Sequence, residues 1–333
     1  METKILITGG AGFIGSSLAE RLAKFNMDIT LLIRKGDSKD NLKNFIDKIK
    51  LIEGDVCDKE LIEELIKDKD FIFHFAWQTE LKKANDNPKK DLQENLDGII
   101  NILEGCRKYN NNVKIIFPST VTVSDENNFY IEDGDINPKS IYDLHKLFAE
   151  YYLMMYYKVY GIKYTCLRLA NVFGEKQRID NPKRGILNYF IGQILKGEKI
   201  KLYGYGEFVR DYSYIENILD TFLLTILKKE TDGHIFTIGS GEGYTMIEIA
   251  EIMKKIFNEF NIKVEYEKVP YPDGISEVEK RNFIADIIKF QKFTGWSPKI
   301  NIEEGLKKTI DFFMKKNKLN SKDIVHEYYQ KLE

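Results

Sequence analysis

The chain is predicted to be an α/β protein, a doubly wound parallel sheet with a smaller C-terminal lobe for binding substrate. Three observations predict this. Apolar strand-like runs alternate with helical patterns through the first half. A glycine-rich turn joins the first run to the first helix. Beyond Asn171 the texture changes, with Gly, Pro and Arg gathering in residues 174–185.

Strands are predicted at residues 4–8, 29–33, 49–52, 71–75, 114–117 and 164–168. Helices are predicted at 16–25, 59–67, 91–109 and 142–160. The later segments read as helices at 186–196, 215–228 and 246–260, strands at 200–203 and 234–238, and a peripheral helix or tail at 317–333. The division this suggests is 1–170 for the sheet domain and 171–333 for the second lobe, with a segment near 205–240 rejoining the first. The helix at 142–160 carries seven aromatic residues spread over most of its circumference, so it should be buried on several sides, by the second lobe or by a partner subunit.

With 333 residues, 43% of them hydrophobic, the chain can build one large core or two smaller ones. A net charge of −2 gives no support for binding nucleic acid or an anionic membrane. No apolar run is long enough to cross a bilayer, and no leader pattern precedes the first strand. Cys57, Cys106 and Cys166 are far apart and form no metal pattern. An odd cysteine count suits a reducing cytoplasm, where the chain is expected to reside.

The turn after the first strand is Gly9-Gly10-Ala11-Gly12-Phe13-Ile14-Gly15. Gly9 permits the tight turn, Gly12 lets backbone approach a pyrophosphate, and Gly15 lets helix pack on strand. The free N–H groups at the start of the following helix would face the anion, and Phe13 and Ile14 of the turn are expected against the cofactor. A dinucleotide cofactor is expected here. Its identity is left as NAD or NADP. The acid that bonds an NAD ribose is missing, because Ile33 stands where it belongs and Arg34 follows. Arg34 is read either as a contact to a 2′-phosphate or as a solvated loop charge; Asp37 lies several residues late.

Tyr142-Asp143-Leu144-His145-Lys146 places Tyr142 and Lys146 four apart, on one face of a helix. An ammonium beside the phenol would lower its pKa and suit it to take a proton from a sugar hydroxyl. Lys146 could also hold the ribose next to a nicotinamide. Upstream, Phe117-Pro118-Ser119-Thr120 ends a central strand, where strand termini face a ligand crevice.

On these motifs the chain resembles the extended short-chain dehydrogenase/reductase family, in its nucleotide-sugar epimerase/dehydratase group, with a Rossmann-type fold. The resemblance extends over Gly54-Asp55-Val56, His74-Phe75-Ala76, Arg168-Leu169-Ala170-Asn171, Arg210-Asp211-Tyr212 and Gly295-Trp296. It implies Thr120, Tyr142 and Lys146 as the catalytic set, Asp55 and Val56 against adenine, and Ala76 and Trp77 bordering the cofactor. It implies Asn95 as a buried polar support of the active-site helix, and Asn171, Arg210 and Arg281 on the phosphates of a nucleoside diphosphate sugar. Arg178 and Arg184 read as solvated loop residues. Members of this family form homodimers through two helices, here 91–109 and 142–160.

Dehydratases of the group carry Asp-Glu after the catalytic Ser/Thr; here Val121 and Thr122 stand there, so a 4,6-dehydratase is not expected. The resemblance implies hydride transfer at C4 of a nucleotide-activated sugar. The segment 74–106 most resembles epimerases, so a 4-epimerase leads. Arg34 favours the alternative of a net oxidoreductase, a 4-keto-sugar reductase or 4-dehydrogenase. A dinucleotide-binding protein without chemistry is the remaining reading.

Overall fold

The computed structural model describes residues 2–124, 128–130, 136–271 and 280–330. Seven parallel strands form the main sheet: β1 (Thr3–Thr8), β2 (Met27–Ile33), β3 (Lys50–Glu53), β4 (Phe71–His74), β5 (Lys114–Thr120), β7 (Lys163–Leu169) and β11 (His234–Ile238). Their order is β11-β7-β5-β4-β1-β2-β3. The chain winds outward from β1 to β3, then returns to lay β4 on the other side of β1. That reversal opens a crevice between the ends of β1 and β4, where doubly wound sheets bind ligands. β1, β5 and β7 are apolar and almost wholly buried, as strands covered on both faces must be.

The covering helices are α1 (Phe13–Leu22), α2 (Lys59–Ile66), α4 (Pro88–Tyr109), α5 (Ile141–Tyr160) and α7 (Ile215–Leu227), with the short α3 (Leu81–Asp86) entering α4. Helix α1 starts three residues before the predicted position, because Gly12 itself is the N-cap and Phe13 already lies in the first turn. Helix α4 likewise begins early, at Pro88, with the Asn87 side chain accepting from the Lys90 amide. Strand β5 runs on through Pro118-Ser119-Thr120, so these residues are the strand's own C-terminus.

β11 pairs with β7, and α7 packs on α1, so the C-terminal half contributes to the main sheet domain. The rest of that half is small sheets: β8 (Asn171–Phe173) and β12 (Gly243–Thr245) flank β10 (Val209–Tyr214), β9 (Ile200–Tyr203) pairs with β13 (Tyr266–Val269), and β6 (Asn128–Tyr130) pairs with β14 (Phe283–Ala285). They are joined by α6 (Ile186–Leu195), α8 (Met246–Asn258), α9 (Ile288–Thr294) and the long α10 (Ile302–Gln330). Asp211 on β10 pins these pieces together: its carboxylate accepts from the Ser240 amide and hydroxyl at 2.8 Å, from Gly241 N at 3.0 Å and from Ala285 N at 3.2 Å.

Helix α5 buries a mostly small or polar face, with Asp143, His145, Lys146, Leu147, Ala149, Glu150 and Leu153 buried. Phe148, Tyr151, Tyr152, Met155 and Tyr160 point outward, uncovered by the second lobe. All three cysteines are free, and among the described residues no helix is long and apolar enough to cross a membrane.

Candidate active site

The crevice begins at the glycine turn. Gly9 has φ +67°, and a Cβ there would lie 2.7 Å from the Ala76 amide nitrogen; one on Gly15 would lie 2.5 Å from the Gly9 carbonyl oxygen. Both positions therefore require glycine. Helix α1 begins at Gly12 with no side-chain cap and no acid in its first turn, so the first amides of Phe13 and Ile14 are open to an anion. Trp77 Nε1, buried beside this turn's neighbour Ala76, has no hydrogen-bond partner. These features fit the pyrophosphate and nicotinamide ends of a dinucleotide.

Of the residues expected against adenine, Val56 is buried under Gly98, and its carbonyl accepts from Asn101 Nδ2 at 3.1 Å, while Asp55 is exposed. Ile33 is buried and apolar, so it offers a ribose hydroxyl no acceptor. Arg34 is 73% exposed, and its amide donates to Asp37 Oδ2 at 3.0 Å.

Beyond β4 and β5 lie Thr120, Tyr142 and Lys146. Ser140 caps α5 by accepting from the Asp143 amide, which fixes the first turn that carries Tyr142. Lys146 is buried and its Nζ donates to the Pro118 carbonyl at 2.6 Å, between the rings of Trp77 (4.1 Å) and Phe117 (4.3 Å). Burial brings its pKa down to about 7, opposed by the thiol of Cys166 and the carboxylates of Glu150 and Asp91. Tyr142 is shifted the other way. Burial pushes its phenol above the ordinary value, Asp143 and Asp91 add to this, and the cation opposing it is Arg184. The expectation that Lys146 is the charge lowering the Tyr142 pKa is thus corrected: both side chains share a helix face, but the long lysine stem carries the ammonium on to Pro118.

Arg184 sits at the crevice mouth, with Nη2 3.5 Å from Gln78 Oε1 and its charge reaching Glu80 and Tyr142. Arg184 is exposed in its loop, as read from the sequence, and Arg178 makes an exposed bidentate pair with Asp180. Of the proposed phosphate contacts, Asn171 is exposed at the start of β8, and Arg210 lies on adjacent β10 against the rings of Phe208 and Phe283. Arg281 is elsewhere: it is 2% exposed, with Nη1 3.4 Å from the Thr122 carbonyl.

Asn95 is buried, but its Oδ1 accepts from the Gln78 amide at 2.7 Å, so it holds the loop after β4 rather than α5. The residue of α4 that grips α5 is Asp91, which bonds His145 Nδ1 at 2.6 Å and accepts from Gln78 Nε2 at 2.8 Å. A second grip is the buried pair of Glu150 and Arg168, 2.7 Å apart, with Arg168 also donating to Ser124 Oγ. Glu150 continues the four-residue stripe of Tyr142 and Lys146, and that spacing was the available signal for it. Among the described residues no group of three His, Cys, Asp or Glu could hold a metal.

Comparison with known proteins agrees with this geometry. The chain is 33% identical over 320 residues to a Methanocaldococcus jannaschii protein provisionally named UDP-glucose 4-epimerase, covering 94% of this chain and 99% of that one. It is 30% identical over 326 residues to the UDP-N-acetyl-alpha-D-glucosaminuronate decarboxylase of Bacillus cytotoxicus, covering 94% and 98%. The crystal structure of Thermotoga maritima UDP-glucose 4-epimerase with UDP-glucose superposes with a TM-score of 0.84 at 31% identity, covering 94% and 99%. The profile of the NAD dependent epimerase/dehydratase family matches residues 5–239. With that match over most of its length, the chain belongs to the NAD dependent epimerase/dehydratase family, enzymes built on a Rossmann-type fold.

Proposed function

We propose that the chain is a nucleotide-sugar 4-epimerase acting on a UDP-sugar. The observation that carries this is the grouping at the crevice: Tyr142 and Lys146 on one face of α5, with Lys146 anchored to Pro118, two residues before Thr120. When bound, the dinucleotide accepts hydride from C4 and returns it. Tyr142 takes the C4 hydroxyl proton, and Thr120 hydrogen-bonds the same oxygen. Tyr142 starts as a phenol whose ionisation burial makes harder, and the charge of Arg184 lowers the cost of the phenolate. Lys146 positions the ribose beside the reacting carbon. Asn171 and Arg210 supply the amide and guanidinium donors that a diphosphate requires, and Arg281 acts from behind the catalytic turn. The outward aromatic face of α5, with Leu92 and Tyr109 of α4, is the surface through which two copies pair.

The cofactor is NAD or NADP; Arg34, exposed where an acid is absent, would accommodate a 2′-phosphate. That same observation favours the second reading, a net 4-keto-sugar reductase or 4-dehydrogenase. Dehydration is not expected, because neither Val121 nor Thr122 can act as acid or base near neutral pH. The test is incubation with UDP-glucose, UDP-galactose, UDP-N-acetylglucosamine and UDP-glucuronic acid, with products identified by NMR. The C4 epimer without net reduced cofactor is the expected result. A 4-keto-6-deoxy sugar, loss of the carboxyl group, or one reduced cofactor per turnover would overturn it.

A further inference from the structure

Behind Thr120 runs a short chain of hydrogen bonds that the reaction as described does not use. The Thr120 and Thr122 hydroxyl oxygens are 2.7 Å apart, and the Thr122 amide donates to Thr120 Oγ1 at 3.2 Å. Thr122 Oγ1 in turn donates to Asp143 Oδ1. The other carboxylate oxygen accepts from the Lys139 amide at 3.3 Å, and the Asp143 amide is tied to Ser140 Oγ at 3.1 Å. Asp143 is fully buried, and Arg281 lies over the same turn with Nε and Nη2 lacking hydrogen-bond partners among the described residues. Burial raises the Asp143 carboxyl above its ordinary value, opposed by the Thr122 hydrogen bond and by the field of Arg281; the other titratable group facing it is Tyr142 on its own helix.

Counting protons fixes the direction of the chain. Each threonine has one hydroxyl proton. A carboxylate only accepts, so the Thr122 proton is committed to Asp143. The proton between the two threonines therefore belongs to Thr120. The Thr120 oxygen, already holding the Thr122 N–H, is left with one lone pair toward the crevice. To hydrogen-bond an oxygen at the reacting carbon it must turn its proton away from Thr122. Thr122 keeps its bond to Asp143 while this happens, so the resting and reacting positions of the Thr120 hydroxyl are both defined.

We infer that Thr122 and Asp143 are positioning residues for Thr120: Asp143 fixes the Thr122 hydroxyl, and Thr122 holds the Thr120 side chain in the resting rotamer from which its proton turns to the oxygen on the reacting carbon. The carboxylate thus reaches this turn from α5, at the position where dehydratases carry their own acid. The inference rests on the proposed role of Thr120 in sugar chemistry.

The test uses the full-length protein loaded with cofactor, as wild type, T122V and T122S. With whichever UDP-sugar the wild type turns over, T122V should lower kcat about ten- to a hundredfold and change KM less than about threefold, because Thr120 is then no longer held in the rotamer from which its proton turns. T122S, which restores the hydroxyl, should recover most of that loss. Equal kcat in T122V and wild type, or no recovery in T122S, would overturn the inference. A second measurement needs no turnover: the Asp143 carboxyl is titrated by carbon-13 NMR, its resonance assigned with D143N. Loss of the Thr122 bond should raise its apparent pKa in T122V and not in T122S. An unchanged value would show that the bond is absent. If the wild type converts no UDP-sugar, the proposed function fails and this titration alone decides whether the chain of bonds exists.

Discussion

Lys146 and Tyr142 illustrate how one environment acts oppositely on two groups. Burial disfavours the charged form of each, lowering the lysine to about 7 and raising the phenol. For Lys146 the consequence for stability has a definite sign. The folded pKa is near 7 and the ordinary lysine value is 10.5, so between them the unfolded chain binds the extra proton. Stability from this group therefore rises with pH across that window and is lowest below about 7. In cofactor-free protein, K146M should gain thermal stability over wild type near pH 6, and the gain should shrink as the pH rises toward about 9. A difference independent of pH, measured by paired thermal melts, would contradict the shift. For Tyr142, Y142F should lower kcat by roughly 10²–10⁴-fold while the protein still binds dinucleotide. Steady-state rates and cofactor titration on the same preparation check both halves. Both residues were legible in the sequence as a four-residue spacing. Their charge environment was not, because Arg184 and Asp91 reach them from other segments, and Arg184 sits among loop residues with no periodic signal.

At the scale of elements, α5 is held at both ends and from two sides: Ser140 caps it, Gly161 ends it in a left-handed turn, and the pairs His145–Asp91 and Glu150–Arg168 fasten it to α4 and β7. Breaking a buried ion pair leaves one charge without its partner, which costs about 3–5 kcal/mol. E150A should therefore destabilise the protein by about that amount in urea unfolding, and should loosen Ser124 through Arg168. The double replacement E150L/R168M should cost clearly less. An E150A variant as stable as wild type would show that the pair carries no such role. The main strands and α2 lie close to where periodicity places them, since each is long and apolar enough to carry its own pattern. Helix α1 was read late because Gly12 and Gly15 interrupt the pattern over its first turn. Strands β8, β10 and β12 were not anticipated. They are three to six residues long, and what fixes them is a tertiary knot around Asp211 rather than local alternation. The link from Thr122 to Asp143 was hidden for the same reason, since it joins a turn after β5 to the start of α5 across 21 residues.

For the whole molecule, the sheet order sets the crevice at the β1–β4 reversal and brings the glycine turn, Thr120 and α5 to one edge. The aromatic excess of α5, for which the sequence leaves the second lobe or a partner subunit as the cover, faces outward together with exposed residues of α4. Exposed aromatic side chains along one helix are what a pairing surface would use. The protein is predicted to be a dimer by sedimentation equilibrium, and the replacements Y152E and M155E to yield monomers. A monomeric wild type would contradict this.

The central claim is that hydride leaves C4 and returns to C4. The most direct test supplies UDP-glucose deuterated at C4 and follows the label by NMR and mass spectrometry. UDP-galactose with deuterium retained at C4, and no net reduced cofactor, is the predicted result. Deuterium accumulating in the dinucleotide, or a product altered at another carbon, would contradict it.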